Sequence, residues 1–157
     1  MKKQIDDVGA FHAKFGLDHL EATVPSSIYN DNLLMMRFNF MLEELTEWGQ
    51  ANGLVLSLTK GEVKFETNEW SEPDRSASLD GAVDLVYVLV GTLRLFGYHA
   101  FNPTVSKSVF DEAWQRVQNA NMAKVRCTDA STSKRKSEFD IIKPDGWQPP
   151  FLDDLVG

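Results

Sequence analysis

The chain has 157 residues, of which 43% are hydrophobic and 11% aromatic, so it can build a real core and is not expected to be disordered. Its net charge of -7 disfavours a general nucleic-acid coat protein. The single cysteine, Cys127, excludes an internal disulfide and a cysteine-based zinc site.

The first half of the chain contains one strongly predicted helix between less regular segments. Apolar residues over 4–20 recur close to helical spacing, and a long helix is predicted from about 32 to 51, with Asn52-Gly53 as its stop signal. Residues 54–58 either prolong that helix or form a short strand. Residues 60–75 are polar and predict an exposed loop or hairpin.

The second half begins with another strong helix, predicted from about 78 to 96 and closed by Gly97. Asn102-Pro103 predicts the start of a third helix, since proline suits the first helical turn. That helix carries an apolar stripe made of Val109, Phe110, Ala113, Trp114, Val117, Met122 and Val125. The proline-rich tail, about 138–157, is expected to dock on the body of the protein. We therefore predict a single all-α domain over 1–157, with at most a short hairpin.

Two acidic clusters lie within the two most apolar predicted helices. At about 100° per residue, the glutamates of the first helix continue an apolar stripe that is expected to be buried, formed by Leu33, Met36, Phe40, Glu44, Glu47 and Ala51, with Glu43 at its edge. The second helix presents one polar stripe, formed by Asp80, Asp84, Tyr87, Gly91 and Arg94. Apposed antiparallel helices would gather four or five carboxylates, and a divalent cation would compensate their repulsion.

Three simpler or more familiar roles for these acids fit the sequence less well. Acidic residues often decorate exposed helix faces, but here both clusters have apolar surroundings. A di-iron carboxylate bundle requires Glu-x-x-His pairs, and no histidine of the sequence lies three residues after a glutamate. The sequence also contains no calcium loop of the EF-hand type.

Four motifs occur in an order that resembles a known superfamily. They are Val8-x-x-Phe-His-x-x-Phe-Gly16, Glu44-x-x-Glu47 followed by Asp80-Gly-x-x-Asp84, Asn121-Met-Ala-Lys-Val125, and Lys143-Pro-x-Gly-Trp-x-Pro-Pro150. Together they resemble the all-α nucleoside triphosphate pyrophosphohydrolases, in particular MazG-like and phosphoribosyl-ATP-pyrophosphohydrolase-like proteins. The chain departs from the family pattern at Gly81, where the family has an acid, and in the long connector between Glu47 and Asp80, which an insertion over 60–75 lengthens.

The resemblance implies a helical bundle and a Mg²⁺-dependent activity that cleaves (d)NTP to (d)NMP and pyrophosphate. We expect the metal ligands to be Glu44, Glu47, Asp80 and Asp84, with Mg²⁺ preferred and Mn²⁺ also suitable. Glu43, or Glu47 if it is not fully engaged by metal, would orient or deprotonate the water that attacks the α-phosphate.

Five further residues are candidate substrate contacts, and each has a structural alternative. Lys124 could contact phosphate or be a solvated lysine at a helix end, and Asn121 could bond a base or sugar or support the helix. Arg94 could touch phosphate or pair with Asp84 or another subunit. Phe15 and His12 could contact a base, although aromatic residues at helical spacing are usually core residues and His12 could lie on the surface.

Two other functions remain open: phosphoribosyl-ATP pyrophosphohydrolysis, and a non-catalytic helical oligomer that binds nucleotide. Because both acidic helices are apolar almost all round, a homodimer or homotetramer is expected. We expect no nucleic-acid partner. No apolar leader follows Met-Lys-Lys and the longest apolar run, Leu85 to Val90, is too short for a membrane span. A cytoplasmic location without membrane association is therefore expected.

Overall fold

The computed structural model describes residues 1–26, 30–59 and 61–157, and the chain packs into two compact units, Met1–Gly97 and Tyr98–Gly157. About 52% of the structure is helical, so the prediction holds in its coarser form, a mostly helical fold. Small antiparallel strand pairs accompany the helices, so a strictly all-α class is not confirmed. One domain over 1–157 stays a prediction.

The first unit contains three long helices, α1 (Lys2–Phe15), α2 (Asp31–Ala51) and α3 (Arg75–Leu95). The α2 helix begins where the Asn30 side chain accepts a hydrogen bond from the Leu33 backbone N–H. The α3 helix begins where Asp74 accepts from Ser76 and Ala77, three residues before the predicted start. The predicted helices are therefore present, with small shifts of their ends.

The segment after α2, for which helix and strand were both open, is a hairpin of β1 (Leu54–Thr59) and β2 (Glu62–Thr67), paired from Leu54 with Thr67 to Thr59 with Glu62. After the hairpin, the Asn68 N–H donates to the Gly53 carbonyl and the Asp74 N–H donates to the Ala51 carbonyl. These bonds return the chain to the end of α2, so α3 starts beside that end.

The described core of this unit lies mainly between α1 and α3, where Ile5, Val8, Val88, Val90 and Leu95 are buried. Many large apolar side chains of α2 and α3 remain exposed, namely Met35, Met36, Phe38, Phe40, Leu42, Leu79, Val83, Val86 and Leu89. By length and composition alone α3 could cross a membrane, a test that the core helices of soluble proteins also pass.

The second unit contains β3 (Phe101–Asn102), β4 (Lys107–Ser108), α4 (Val109–Met122), β5 (Val125–Arg126), β6 (Ile141–Ile142) and α5 (Asp153–Val156). The predicted helix start at Asn102-Pro103 is wrong. The Asn102 side chain accepts from the Thr104 N–H and forms a local turn, and the helix begins only where Ser108 accepts from Asp111.

The tail packs within this second unit. The Trp147 indole N–H donates to the Ala120 carbonyl at 2.7 Å. Arg116 donates to the Phe151 carbonyl at 2.9 Å and forms a two-pronged ion pair with Asp154 at 2.6 and 3.0 Å.

Candidate functional site

Two contacts fix the register of the antiparallel helices α2 and α3. Near one end, Arg37 donates to the Val88 carbonyl at 2.7 Å and to the Thr92 hydroxyl at 3.1 Å. Near the other end, the Trp48 indole donates to the Ser78 hydroxyl at 3.3 Å. Glu44 lies between Arg37 and Trp48 on α2, so this register places it opposite the turn of α3 that carries Asp84.

Gly81 lies at a close approach of α3 to α2. A Cβ added at Gly81 would be 3.1 Å from the Trp48 Cα and 3.3 Å from the Trp48 N. Because these are backbone atoms, a side chain at position 81 would require α2 to shift by a few tenths of an ångström. The neighbouring Asp80 is exposed and has room for a carboxylate. The departure at Gly81 thus has a local steric reason.

Glu44 is the member of the acidic cluster that is half-buried, whereas Glu43, Glu47, Asp80 and Asp84 are exposed. Burial raises the pKa of Glu44, and repulsion from Asp84, Glu47, Glu43 and Asp80 raises it further. The fold therefore does bring the five predicted carboxylates into electrostatic contact. Within the described ranges, none of them forms an ion pair with lysine or arginine.

The donor chemistry of this cluster fits a hard divalent cation, because every donor is a carboxylate oxygen and no protein cation balances them among the described residues. Among the described residues, however, no group of three histidine, cysteine, aspartate or glutamate side chains is close enough together to hold a metal ion. The side chains would have to converge further, which the four exposed carboxylates are free to do by changing rotamer. The individual ligand assignments stay predictions.

An open depression of about 600 Å³ lies on α2 beside Glu43, lined also by Asn32, Met35, Met36, Asn39 and Phe40.

The prediction that the glutamates continue a buried stripe is wrong for the single chain, because Met36 is 51% exposed and Phe40 is 38% exposed. Asn32 and Asn39, which line the depression, were not among the contact residues predicted from the sequence. Helical spacing back from Glu43 was the signal that could have found them.

His12 and Arg94 belong to a part-buried polar network rather than to the acidic cluster. Arg94 donates to both carboxylate oxygens of Glu21 at 2.6 Å and to the Ile5 carbonyl at 3.0 Å. The His12 Nδ1 lies 2.6 Å from Glu21 Oε1. The predicted pairing of Arg94 with Asp84, and the surface position considered for His12, are therefore wrong. Their roles as substrate contacts stay predictions.

Glu21 is the centre of this network and was missed in the sequence. Burial opposes its ionisation, but hydrogen bonds from Arg94 and His12 outweigh burial, so the pKa of Glu21 lies below its usual value. Its partner Arg94 is 73 residues away along the chain, so no local spacing could reveal the pair.

The other predicted substrate contacts belong to different units of the chain. Phe15 is exposed at the end of α1 and packs on Phe11, with ring centroids 4.6 Å apart. Asn121 and Lys124 lie in the second unit, where the Lys124 ammonium donates to the Asn121 side-chain oxygen at 2.8 Å. The same ammonium is 5.5 Å from the centre of the Trp147 ring.

Comparison with known proteins identifies the family. The family model for phosphoribosyl-ATP pyrophosphohydrolase matches residues 8–118, which is more than half of the chain and includes all five carboxylates. No curated protein matches the chain significantly. The chain therefore belongs to the phosphoribosyl-ATP pyrophosphohydrolase family, within the MazG-like superfamily of nucleoside triphosphate pyrophosphohydrolases.

Proposed function

We propose that this protein is a Mg²⁺-dependent pyrophosphohydrolase that cleaves (d)NTP to (d)NMP and pyrophosphate. Its family implies hydrolysis of a phosphoric anhydride bond, and the members generally depend on a divalent metal. The observation that carries the proposal is Glu44, half-buried and opposed by four further carboxylates without a balancing protein cation in the described chain. Such a site favours a metal ion that neutralises several acids at once.

In this proposal Glu44, Glu47, Asp80 and Asp84 hold Mg²⁺, or Mn²⁺ in its place. When bound, the metal screens the negative charge of the triphosphate and polarises its phosphoryl oxygens. Glu43, or Glu47 when metal does not fully engage it, accepts a proton from water. The water oxygen forms a bond to the α-phosphorus while the bond from that phosphorus to the α–β bridging oxygen breaks, and pyrophosphate leaves.

The choice of substrate is the finer part of the proposal. Phosphoribosyl-ATP is supported equally by the family, and it undergoes the same bond cleavage. We favour nucleoside triphosphates because of the long connector between the acidic helices, which contains the β1–β2 hairpin, and because of the extended tail. A non-catalytic oligomer that binds nucleotide is the third possibility, and the five gathered acids argue against it.

We further propose that the protein forms a homodimer or homotetramer. The support is the row of exposed apolar side chains on α3, which includes Leu79, Val83, Val86 and Leu89. Val83 and Val86 also line a groove between α3 and α1 that is bordered by Gln4, Asp7 and Tyr87. A second copy of the chain would remove this surface from water. A cytoplasmic location without nucleic-acid or membrane partners completes the proposal.

The deciding experiment is a pyrophosphate-release assay on the four NTPs, the four dNTPs and phosphoribosyl-ATP, each with Mg²⁺ and with a chelator. We expect release from one or more triphosphates only when Mg²⁺ is present. Hydrolysis in ¹⁸O-labelled water should place the label in the nucleoside monophosphate, because water attacks the α-phosphorus. Release from phosphoribosyl-ATP alone would establish that compound as the substrate, and no release from any nucleotide would favour the non-catalytic oligomer.

A further inference from the structure

The second unit contains a pocket of about 540 Å³ where the end of α4 meets the segment from Arg135 to Ile141. Its lining includes Met122, Lys124, Arg135 and Phe139. This volume falls within the range of small-molecule sites. The family match ends at residue 118, so the residues of this pocket lie outside it.

One wall of the pocket is apolar and open to solvent. Phe139 is 82% exposed and Met122 is 74% exposed. A large, exposed aromatic ring beside a pocket indicates a place for a flat ligand, because stacking on the ligand would remove the ring from water. The backbone N–H of Phe139 donates to the Ser137 hydroxyl at 3.2 Å, and the next residue, Asp140, is buried. The backbone is thus anchored on both sides of the exposed ring.

Two cations lie on the same pocket. Lys124 uses one of its three ammonium donors on Asn121, which leaves two for a ligand. Arg135 donates through Nη1 to Asp140 at 2.5 Å. No hydrogen bond within the described residues engages the Nε and Nη2 groups of Arg135. That pair of N–H groups forms the edge of a guanidinium that binds phosphate oxygens in a two-pronged manner.

Asp140 also lines the pocket, but its oxygens are already used. One oxygen accepts from the Ser133 hydroxyl at 2.7 Å, and the other accepts from Arg135 and from the Ile141 N–H. The hydrogen bond from Ser133 lowers the pKa of Asp140 against the effect of burial, and Arg135 lowers it further. Asp140 therefore orients Arg135 and balances its charge. Because Lys124 adds a second positive charge, the pocket has a net positive charge.

The segment around the pocket also has a positive net charge, although the net charge of the whole chain is -7. Over 124–143 the basic residues are Lys124, Arg126, Lys134, Arg135, Lys136 and Lys143, and the acidic residues are Asp129, Glu138 and Asp140. A phosphate approaching this segment is attracted, whereas the acidic first unit repels it unless metal is present.

We propose that this pocket binds a nucleoside monophosphate, with the base stacked on Phe139 and the phosphate held by Lys124 and Arg135. The site goes beyond the proposed hydrolysis because it uses none of the five carboxylates and requires no divalent metal. The aromatic ring and the two cations match the two chemical parts of one ligand, a flat base and a dianionic phosphate.

The test is calorimetric titration of the full chain with AMP, GMP, CMP and UMP in the presence of a chelator. The indole N–H resonance of Trp147, which lies beside Lys124, reports independently on the second unit. Phe139→Ala should weaken binding about tenfold or more, because base stacking on an aromatic ring is lost. Phe139→Trp should retain binding. Arg135→Ala should weaken binding by a similar factor, whereas Lys134→Ala, a neighbouring exposed lysine, is the control.

Absence of binding by all four monophosphates would overturn the proposal. So would equal binding of inorganic phosphate and AMP, or a Phe139→Ala variant with unchanged affinity. A single-stranded oligonucleotide that displaces AMP and binds far more tightly would also overturn it, in favour of a polymer site. AMP binding is measured with a chelator present and pyrophosphate release with Mg²⁺ present, so a failure of the proposed hydrolysis and a failure of this site give different results.

Discussion

Gly81 of α3 lies against the backbone of Trp48 of α2, at a distance where any added Cβ would be 3.1 Å from the Trp48 Cα. The contact lies one helical turn from Asp84 and directly beside Asp80. It makes the close approach of the two acidic helices depend on the absence of a side chain at this position. The carboxylate that the family pattern places here is therefore supplied, in our proposal, by Asp80.

Gly81→Glu should consequently destabilise the protein rather than improve its metal site. Forcing a side chain into the helix contact costs about 1 to 3 kcal/mol, which exceeds the gain of up to about 1 kcal/mol from replacing a helical glycine. Urea unfolding followed by circular dichroism measures the difference. Ser76→Glu adds the same carboxylate to an exposed position of the same helix and should change stability little. A Gly81→Glu protein as stable as the parent would contradict this account of the contact.

The helices and their acids could be predicted because both are local. Apolar spacing and cap residues such as Asn30 and Asp74 act on residues close to them in the sequence. Helical geometry then places Glu44 and Asp84 on facing sides of α2 and α3. Long-range partners cannot be found in this way. The pair of Glu21 and Arg94, 73 residues apart, has no local pattern.

Local competition explains where the third helix begins, and missing partners explain the exposed stripe. Pro103 is a suitable first helical residue, but the Asn102 side chain captures the Thr104 N–H, so a turn forms first. The stripe of Met36 and Phe40 was predicted to be buried because apolar helical faces usually are. In one chain nothing among the described residues covers it fully, which is information about assembly that a single sequence does not contain.

Glu44→Gln should change how stability depends on pH and on metal. The pKa of Glu44 is raised in the folded protein, so the folded state binds the proton more tightly and the parent loses stability as pH rises above about 4.5. Without metal, the variant should be at least as stable as the parent at pH 7 and show a flatter profile. Mg²⁺ should raise the melting temperature of the parent at pH 7 more than that of the variant. Glu72→Gln, an exposed acid outside the cluster, is the control.

Two results would contradict this prediction, one for the raised pKa of Glu44 and one for its role as a metal ligand. A variant less stable than the parent at pH 7 without metal would contradict the raised pKa. An equal response of both proteins to Mg²⁺ would instead contradict the assignment of Glu44 as a ligand.

Glu47→Gln should lose most turnover while remaining folded. Glu47 is exposed, so its replacement removes little packing, but the proposal uses it as a metal ligand and as a possible proton acceptor. Loss of general-base catalysis alone costs about 10²- to 10⁴-fold in kcat. Pyrophosphate release measures turnover, and circular dichroism verifies the fold. Glu43→Gln, measured in parallel, shows which glutamate accepts the proton. Unchanged activity in Glu47→Gln would remove it from the site.

Arg94→Met should destabilise the first unit, because it removes two hydrogen bonds and the guanidinium charge from the part-buried Glu21 carboxylate. Removing one member of a fully buried ion pair costs about 3 to 5 kcal/mol, so the loss for this part-buried pair should lie below that range. The lowered pKa of Glu21 means that its stabilising effect is present above its ordinary pKa and is lost as pH falls through the folded pKa. The difference between variant and parent should therefore shrink in acid. Lys64→Met breaks an exposed ion pair with Glu66 and should have little effect on thermal unfolding.

Val86→Arg should reduce the mass of the particle in solution. Val86 is 43% exposed and lines the groove between α3 and α1 that we propose a second copy covers. A buried, unpaired arginine on both sides of a symmetric interface would oppose association. Light scattering after gel filtration should show a dimer or tetramer for the parent and a smaller species for the variant. Val63→Arg, on the exposed hairpin, is the matched control and should keep the mass of the parent. A parent that is monomeric at every concentration tested would refute the predicted oligomer, and the apolar faces of α2 and α3 would then need another partner.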